Sequence, residues 1–320
     1  MAGRTTAQNA GRLRAILLAA GIVAAPTAAV ADAATPTTSP VNLPAPTMGG
    51  LQLWADAFVH AGWRIQQNVL TGHYRLLDRR DRRRAWGSYA DSYRAFDDLR
   101  GQQRLAPSSR HLVLVLHGIL GFKQSVADME AGLRAAGFDA VAVNYPSTRR
   151  TLAQHAEQLA ELLARTEGAD TVSFVSHSMG GLVVRQLLAR PHAWQHRLRT
   201  HRVVMIAPPS QGAHLADRLA HMSAYNLVLG DGGGGLTTAA ARALPAPPVS
   251  FGIIAGGRGD GAGLNPLLPG DDDGLVGVTE TDLAGAADRL LLPEHHYGIA
   301  EAPATIAATI QFLRHGRFRD

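Results

Sequence analysis

Residues 171–181 read Thr-Val-Ser-Phe-Val-Ser-His-Ser-Met-Gly-Gly, and no other stretch restricts the accessible folds as strongly. A β-branched and aromatic run drives into Ser-His-Ser-Met-Gly-Gly, and a helical pattern follows at once. This sequence of strand, tight turn and helix is the setting of a nucleophile elbow, which lifts a serine hydroxyl above the end of a parallel sheet. Backbone segments approach so closely there that the residues two before and two after the serine must be small. Around Ser178 they are Ser176 and Gly180. Glycine usually takes the first of these places, so Ser176 is a departure. Short Gly/Ser patterns also arise by chance, so the remaining chemistry has to come from elsewhere in the chain.

From residue 110 onward the pattern alternates between strand and helix. Residues 111–116 are continuously apolar, as a strand buried on both faces should be. A helix is predicted over 124–136, a strand over 140–144 and an amphipathic helix over 151–165. The strand at 171–176 and a helix continuing over 182–189 flank the elbow. Further strands are predicted at 202–206, 249–255 and 289–292, with a closing helix over 304–314. This alternation predicts an α/β fold with a doubly wound, mostly parallel sheet and helices on both faces. Residues 212–248 interrupt the rhythm with an apolar helix candidate, the run Gly230-Asp231-Gly232-Gly233-Gly234-Gly235 and a proline-rich exit. Glycine runs are flexible, and the segment reads as a small cap or lid, or as a surface loop.

Upstream, Leu53, Trp54, Ala57, Phe58 and Ala61 recur at i, i+3, i+4 spacing, which predicts a helical extension over 51–105. Inside it, residues 79–84 read Arg-Arg-Asp-Arg-Arg-Arg, either a solvated charged turn or a contact with an anionic membrane face. At the N-terminus, Arg4, Arg12 and Arg14 precede an apolar run over 15–25 that is too short for an ordinary membrane span. Small residues at 29, 31 and 33 fit a signal-peptide cleavage site, with cutting after Ala33 favoured. The expected organisation is a signal peptide over 1–33, a Pro/Thr-rich linker over 34–50, the extension over 51–105 and the α/β domain over 106–320. Such a chain is exported, to the periplasm or the medium; an uncleaved anchor is the rival reading.

The net charge of +5 rests almost wholly on arginine, Lys123 being the only lysine. That balance does not argue for nucleic acid, and no recognition module for it is present. Cysteine is absent, which excludes a disulfide framework, cysteine metal sites and a cysteine nucleophile.

A serine hydroxyl needs a base within hydrogen-bond reach and a third group to orient that base. Behind an elbow of this kind the chain order is serine, acid, histidine. Residues 270–278, Gly-Asp-Asp-Asp-Gly-Leu-Val-Gly-Val, follow the strand from which the acid should emerge. Asp273 stands directly before Gly274 and an apolar pair, and it is taken over Asp271 and Asp272. Three adjacent carboxylates could hold calcium, but the spacing is not that of an EF-hand, and no metal is expected. Histidines 295 and 296 compete for the base, in a loop between the last strand and the closing helix. His177 is expected to line the site without acting as the base. For the developing oxyanion, two backbone N–H groups are needed. Met179, after the nucleophile, supplies one. Ile119 supplies the other, from the loop Leu116-His117-Gly118-Ile119-Leu120-Gly121, where Gly118 lets the backbone turn and His117 holds the loop.

Taken in chain order, HGILG (117–121), SHSMGG (176–181), APPSQG (207–212), DGLVGV (273–278) and the segment at His296 resemble bacterial lipases and esterases of the α/β-hydrolase superfamily. The resemblance runs from about residue 110 to 316 and leaves 51–103 unaccounted for. Residues 296–313 are similar to the family's histidine loop and final helix, which implies His296 as the base. It further implies hydrolysis of small-molecule or lipid carboxylic esters through an acyl-enzyme on Ser178, with no cofactor. Acyl transfer by the same residues is an alternative, as is a non-catalytic binding or chaperone-like protein that keeps the fold.

Overall fold

The structure is a computed structural model that describes residues 45–46, 52–105, 109–219 and 221–319. The expected signal peptide and its cleavage site lie outside the described residues, as does most of the linker. Among the described residues no helix is long and apolar enough to cross a membrane.

The predicted helical extension is instead mostly β. Strands β1 (Ala45–Pro46), β2 (Trp54–His60), β3 (Trp63–Asn68), β4 (Tyr74–Leu77) and β5 (Arg82–Gly87) form an antiparallel sheet in the order β1-β5-β4-β3-β2. Only α1 (Tyr89–Gln103) is helical, started by a capping box between Ser88 and Asp91. Phe58, Trp63, Ile65, Leu76 and Ala85 of the sheet pack against Phe96 of α1. The sheet buries polar side chains as well. Asp56 accepts from Arg64 Nη1 at 2.6 Å and from Gln66 Nε2 at 2.8 Å, and Gln66 Oε1 accepts from Arg75 Nη2 at 2.8 Å. A bulge between Asp56 and Phe58 shifts the register of β2. Bulge and polar ladder together erase the period-two signal, and the remaining apolar spacing imitates a helix. The arginine run spans the β4–β5 turn and the first three residues of β5. Asp78 accepts from the Arg80 and Arg82 amides, each at 2.9 Å, and pairs with Arg84 at 2.6 Å.

The second sheet has six strands: β6 (His111–Leu116), β7 (Asp139–Val143), β8 (Thr171–His177), β9 (Arg199–Ile206), β10 (Phe251–Gly256) and β11 (Asp288–Leu292). All neighbours are parallel, in the order β11-β10-β9-β8-β6-β7. Alternate residues of β6 face opposite cores, Leu112, Leu114 and Leu116 on one side, Val113 and Val115 on the other. The first core also takes α3 (Leu152–Arg165) and α4 (Met179–Leu188). The second takes α2 (Ala127–Ala135) and α8 (Pro303–His315). From β6 the chain moves outward to β7, then returns to the far side of β6 as β8. The carboxyl ends of β6 and β8 therefore flank a topological switch point, where sheets of this kind leave a crevice.

Residues 212–248 form three helices, α5 (His214–Leu219), α6 (Ser223–Gly234, kinked at Gly230) and α7 (Thr238–Arg242). The glycine run is not a slack hinge but a contact surface. A β-carbon on Gly230 would fall 2.1 Å from the Thr148 carbonyl oxygen, and one on Gly232 would fall 2.1 Å from that of Ser147. Arg185, fully buried in α4, donates to the carbonyls of Ser210, Ala241, Leu244 and Pro245, and so ties this segment to the helix behind the elbow.

Candidate active site

Ser178 sits between β8 and α4 at φ 53° and ψ −125°, a conformation that non-glycine residues rarely adopt. Two backbone bonds hold it there. The Ser178 amide donates to the Ile206 carbonyl at 2.8 Å, and the Gly181 amide donates to the Ser178 carbonyl at 2.9 Å. The small neighbours have steric reasons. A β-carbon on Gly180 would lie 2.8 Å from the His117 carbonyl oxygen, and one on Gly118 would lie 2.9 Å from Ser178 Cβ. At position 176 the extra hydroxyl finds a use, donating to the Val204 carbonyl of β9 at 3.2 Å.

The structure brings Ser178, His296 and Asp273 together. His296 Nε2 accepts from Ser178 Oγ at 3.0 Å, and His296 Nδ1 donates to Asp273 Oδ2 at 2.7 Å. All three are almost fully buried, at 5 % exposure for Ser178, 5 % for His296 and 2 % for Asp273. The His296 amide also donates to the Asp273 carbonyl at 2.9 Å, so main chain and side chain fix the pair. His295 turns elsewhere and packs on Gly298.

The three adjacent aspartates have separate partners. Asp271 accepts from the amides of Arg258 and Gly259, each at 2.7 Å. Asp272 accepts from the Asn265 amide at 3.0 Å and the Gly274 amide at 2.7 Å. Asp273 Oδ1 accepts from the amides of Leu275 at 3.0 Å and Val276 at 2.8 Å, leaving Oδ2 to His296. Among the described residues no group of three or more His, Asp or Glu side chains is placed to hold a metal ion.

Residues 118–121 form a turn closed by the Gly121 amide on the Gly118 carbonyl at 3.1 Å, with Leu120 at φ 59°. Ile119 is a central residue of that turn. Met179, as the first residue of α4, has no carbonyl four residues back to bond within the helix, and it lies at the positive end of the helix dipole. His117 is fully buried, stacks on Tyr145 at 4.1 Å between ring centroids, and donates from Nδ1 to the Gly118 carbonyl at 2.8 Å. Burial drives its pKa down to about 4, so it stays neutral. The Tyr145 hydroxyl donates to the His117 carbonyl. His177 donates from Nε2 to the His296 carbonyl at 2.9 Å. Burial, aided by the neighbouring His296, lowers its pKa to about 3. Tyr145 and Arg185 are structural ties that the sequence does not announce, because they bond carbonyls remote in the chain.

Two chain-distant loops meet at the switch point, one carrying an elbow serine and the other a tight glycine turn, with a histidine–aspartate pair arriving from beyond β10 and β11. The chain has the α/β-hydrolase fold. Solved structures agree with this α/β-hydrolase architecture. The mature form of Bacillus licheniformis lipase BlEst2 superposes with a TM-score of 0.51 at 22 % identity, over 66 % of this chain and 94 % of that one. Its propeptide form gives a TM-score of 0.54 at 22 % identity, over 65 % of this chain and 51 % of that one. A family profile described as a domain of unknown function, DUF7379, matches residues 81–234, from the β4–β5 turn through the elbow to α6. No curated protein matches the chain in sequence.

Proposed function

We propose that this chain is a serine hydrolase that cleaves carboxylic esters through an acyl-enzyme. The observation that supports it is the unbroken relay Asp273–His296–Ser178, with hydrogen bonds of 2.7 and 3.0 Å, beneath a nucleophile held at an elbow. Because Asp273 accepts from Nδ1, the Nε2 atom of His296 is left as the proton acceptor facing the serine. Ser178 Oγ attacks the ester carbonyl carbon while His296 Nε2 takes its proton. The carbonyl electrons move onto oxygen, and the amides of Ile119 and Met179 receive that oxyanion. As the tetrahedral intermediate collapses, imidazolium His296 gives its proton to the departing alkoxide. Water then repeats the steps on the acyl-enzyme, releasing the acid.

An apolar acyl group is inferred from exposed apolar side chains beside the base and the acid in the chain. Tyr297, next to His296, is 60 % exposed, and Leu264 and Leu267, on the loop leading to Asp273, are 48 % and 62 % exposed. Isolated exposed leucines are ordinary; these flank the chain segments that carry the base and the acid. A neutral ester with a hydrocarbon acyl chain is the substrate class proposed.

The test is labelling by a fluorophosphonate, mapped by peptide sequencing, alongside turnover of short- and long-chain p-nitrophenyl esters. Label on Ser178 and ester turnover are expected in the wild type. Ser178→Ala should lose both while unfolding at the same temperature, with turnover reduced by at least about 10⁴-fold. Ester turnover retained by pure Ser178→Ala protein would end this reading.

A further inference from the structure

We propose that the N-terminal antiparallel sheet is a clamp for the oxyanion loop, with Gln52 as its positioning residue. The inference rests on the hydrolase reading above and assigns that site a support outside the six-stranded sheet. Gln52 lies just before β2 in space and sequence, yet its amide reaches two loops at the carboxyl edge of the central sheet. Nε2 donates to the Gly121 carbonyl at 2.7 Å. Oε1 accepts from the Thr148 amide at 3.1 Å and from the hydroxyls of Ser147 and Thr148, each at 3.2 Å. One side chain thus joins the end of the oxyanion turn to the segment on which Gly230 and Gly232 of α6 rest.

The Gly121 bond matters because of where the turn is closed. The Gly121 amide bonds the Gly118 carbonyl, so displacing Gly121 moves the peptide units of Gly118 and Ile119 directly. A second grip lies two residues on. Lys123 pairs with Asp81 of the β4–β5 turn at 2.6 Å, and its amide donates to Asn144 Oδ1 at 3.3 Å. Asn144 is itself held by the same sheet, its amide donating to Asp56 Oδ2 at 2.7 Å and its Nδ2 to the Trp54 carbonyl at 2.7 Å. On the upstream side, the loop is anchored within the α/β domain, through the Tyr145 hydroxyl on the His117 carbonyl. The loop is therefore stretched between one anchor native to the sheet it leaves and another supplied by the N-terminal residues. An oxyanion donor acts only when aimed at the position the oxygen will take in the transition state. Small displacements of such a group lower rate more than binding.

The experiment compares wild type, Gln52→Ala and Gln52→Glu, each normalised to sites titrated with a fluorophosphonate. Gln52→Glu keeps acceptors for Thr148 and the Ser147 hydroxyl but can donate neither to the Gly121 carbonyl nor to Ser147 Oγ at 3.1 Å, so it tests the donating half of the clamp even if the alanine variant folds poorly. Both variants should lower kcat on a short-chain ester on the order of 10-fold with KM unchanged. Both should weaken a trifluoromethyl ketone, which forms a tetrahedral oxyanion on Ser178, by the same factor. A merely structural role would lower the unfolding temperature and leave kcat per titrated site and ketone affinity at wild-type values. That result overturns the clamp alone. A wild type that neither labels nor turns over esters overturns the hydrolase reading and takes the clamp with it.

Discussion

Ser178 is kept in a conformation that costs on the order of 1–3 kcal/mol, held by its backbone bonds to Ile206 and Gly181. The relay behind it has little slack. Asp273 divides its two oxygens, one for the amides of Leu275 and Val276 and one for His296. Replacing it with asparagine changes few atoms but puts an amide N–H or a carbonyl where a carboxylate oxygen stood. The imidazole then loses the partner that fixes its proton on Nδ1. Asp273→Asn should leave the unfolding temperature within a few degrees and lower kcat by about 10⁴-fold. Ester kinetics with parallel thermal melts check this, and a loss smaller than tenfold would remove Asp273 from the relay. The sequence singles out Asp273 among three adjacent aspartates by the glycine and apolar pair that follow it, and Asp273 is the one whose carboxylate stands against His296. The work of the other two was not legible there, since the amides of Arg258, Gly259 and Asn265 reach them only once the loop is folded. The purpose of Ser176 was equally hidden, because its acceptor is the Val204 carbonyl on another strand.

At the scale of elements, the parallel sheet could be read almost strand by strand, because its central strands are buried on both faces and carry apolar runs between amphipathic helices. The antiparallel sheet could not. Buried Asp56, Arg64, Gln66 and Arg75 put polar residues where a core pattern is expected, and the β2 bulge removes the alternation that marks a strand. The glycine run shows a different loss of information, since composition cannot distinguish a slack loop from a close approach. Gly232 is of the second kind, and Gly234, with nothing within 4 Å of where its β-carbon would go, is of neither. The two make a matched pair. Gly232→Ala must push α6 away from Ser147 and should destabilise the fold by about 1–3 kcal/mol. Gly234→Ala, in the same helix, should be neutral or stabilise by up to about 1 kcal/mol. Denaturant unfolding of the two variants side by side is the measurement. Equal effects would show that α6 does not rest on the 147–148 segment.

Across the whole molecule, Ser178, Asp273 and His296 converge from three loops at the carboxyl end of the sheet, and burial also holds several histidines in the neutral form. His117, His155 and His177 are at or below 8 % exposure. Burial holds their pKa values near 4, 3 and 3, with His117 and Arg150 adding to the effect at His155 and His296 to that at His177. In the unfolded chain each would titrate near its ordinary 6.5. Above that pH both states are neutral and the groups contribute no pH dependence. Below it the unfolded chain binds protons that the native fold refuses, so stability falls as pH drops from about 6.5 towards 3–4. Each group contributes a slope of up to about 1.4 kcal/mol per pH unit. Three together approach about 4 kcal/mol per unit as a ceiling, since His117 and His155 influence one another. Even part of that slope, kept over about two pH units, removes several kcal/mol of a typical stability of about 5–15 kcal/mol. Urea midpoints measured between pH 8 and pH 4 should be flat at the alkaline end and fall steeply below 6.5. His155→Leu should shallow that acid limb while changing the pH 8 midpoint little. An acid limb identical in wild type and variant would mean that His155 takes up its proton in the native state as readily as in the unfolded one, and that the buried histidine layer does not set the acid limit of this fold.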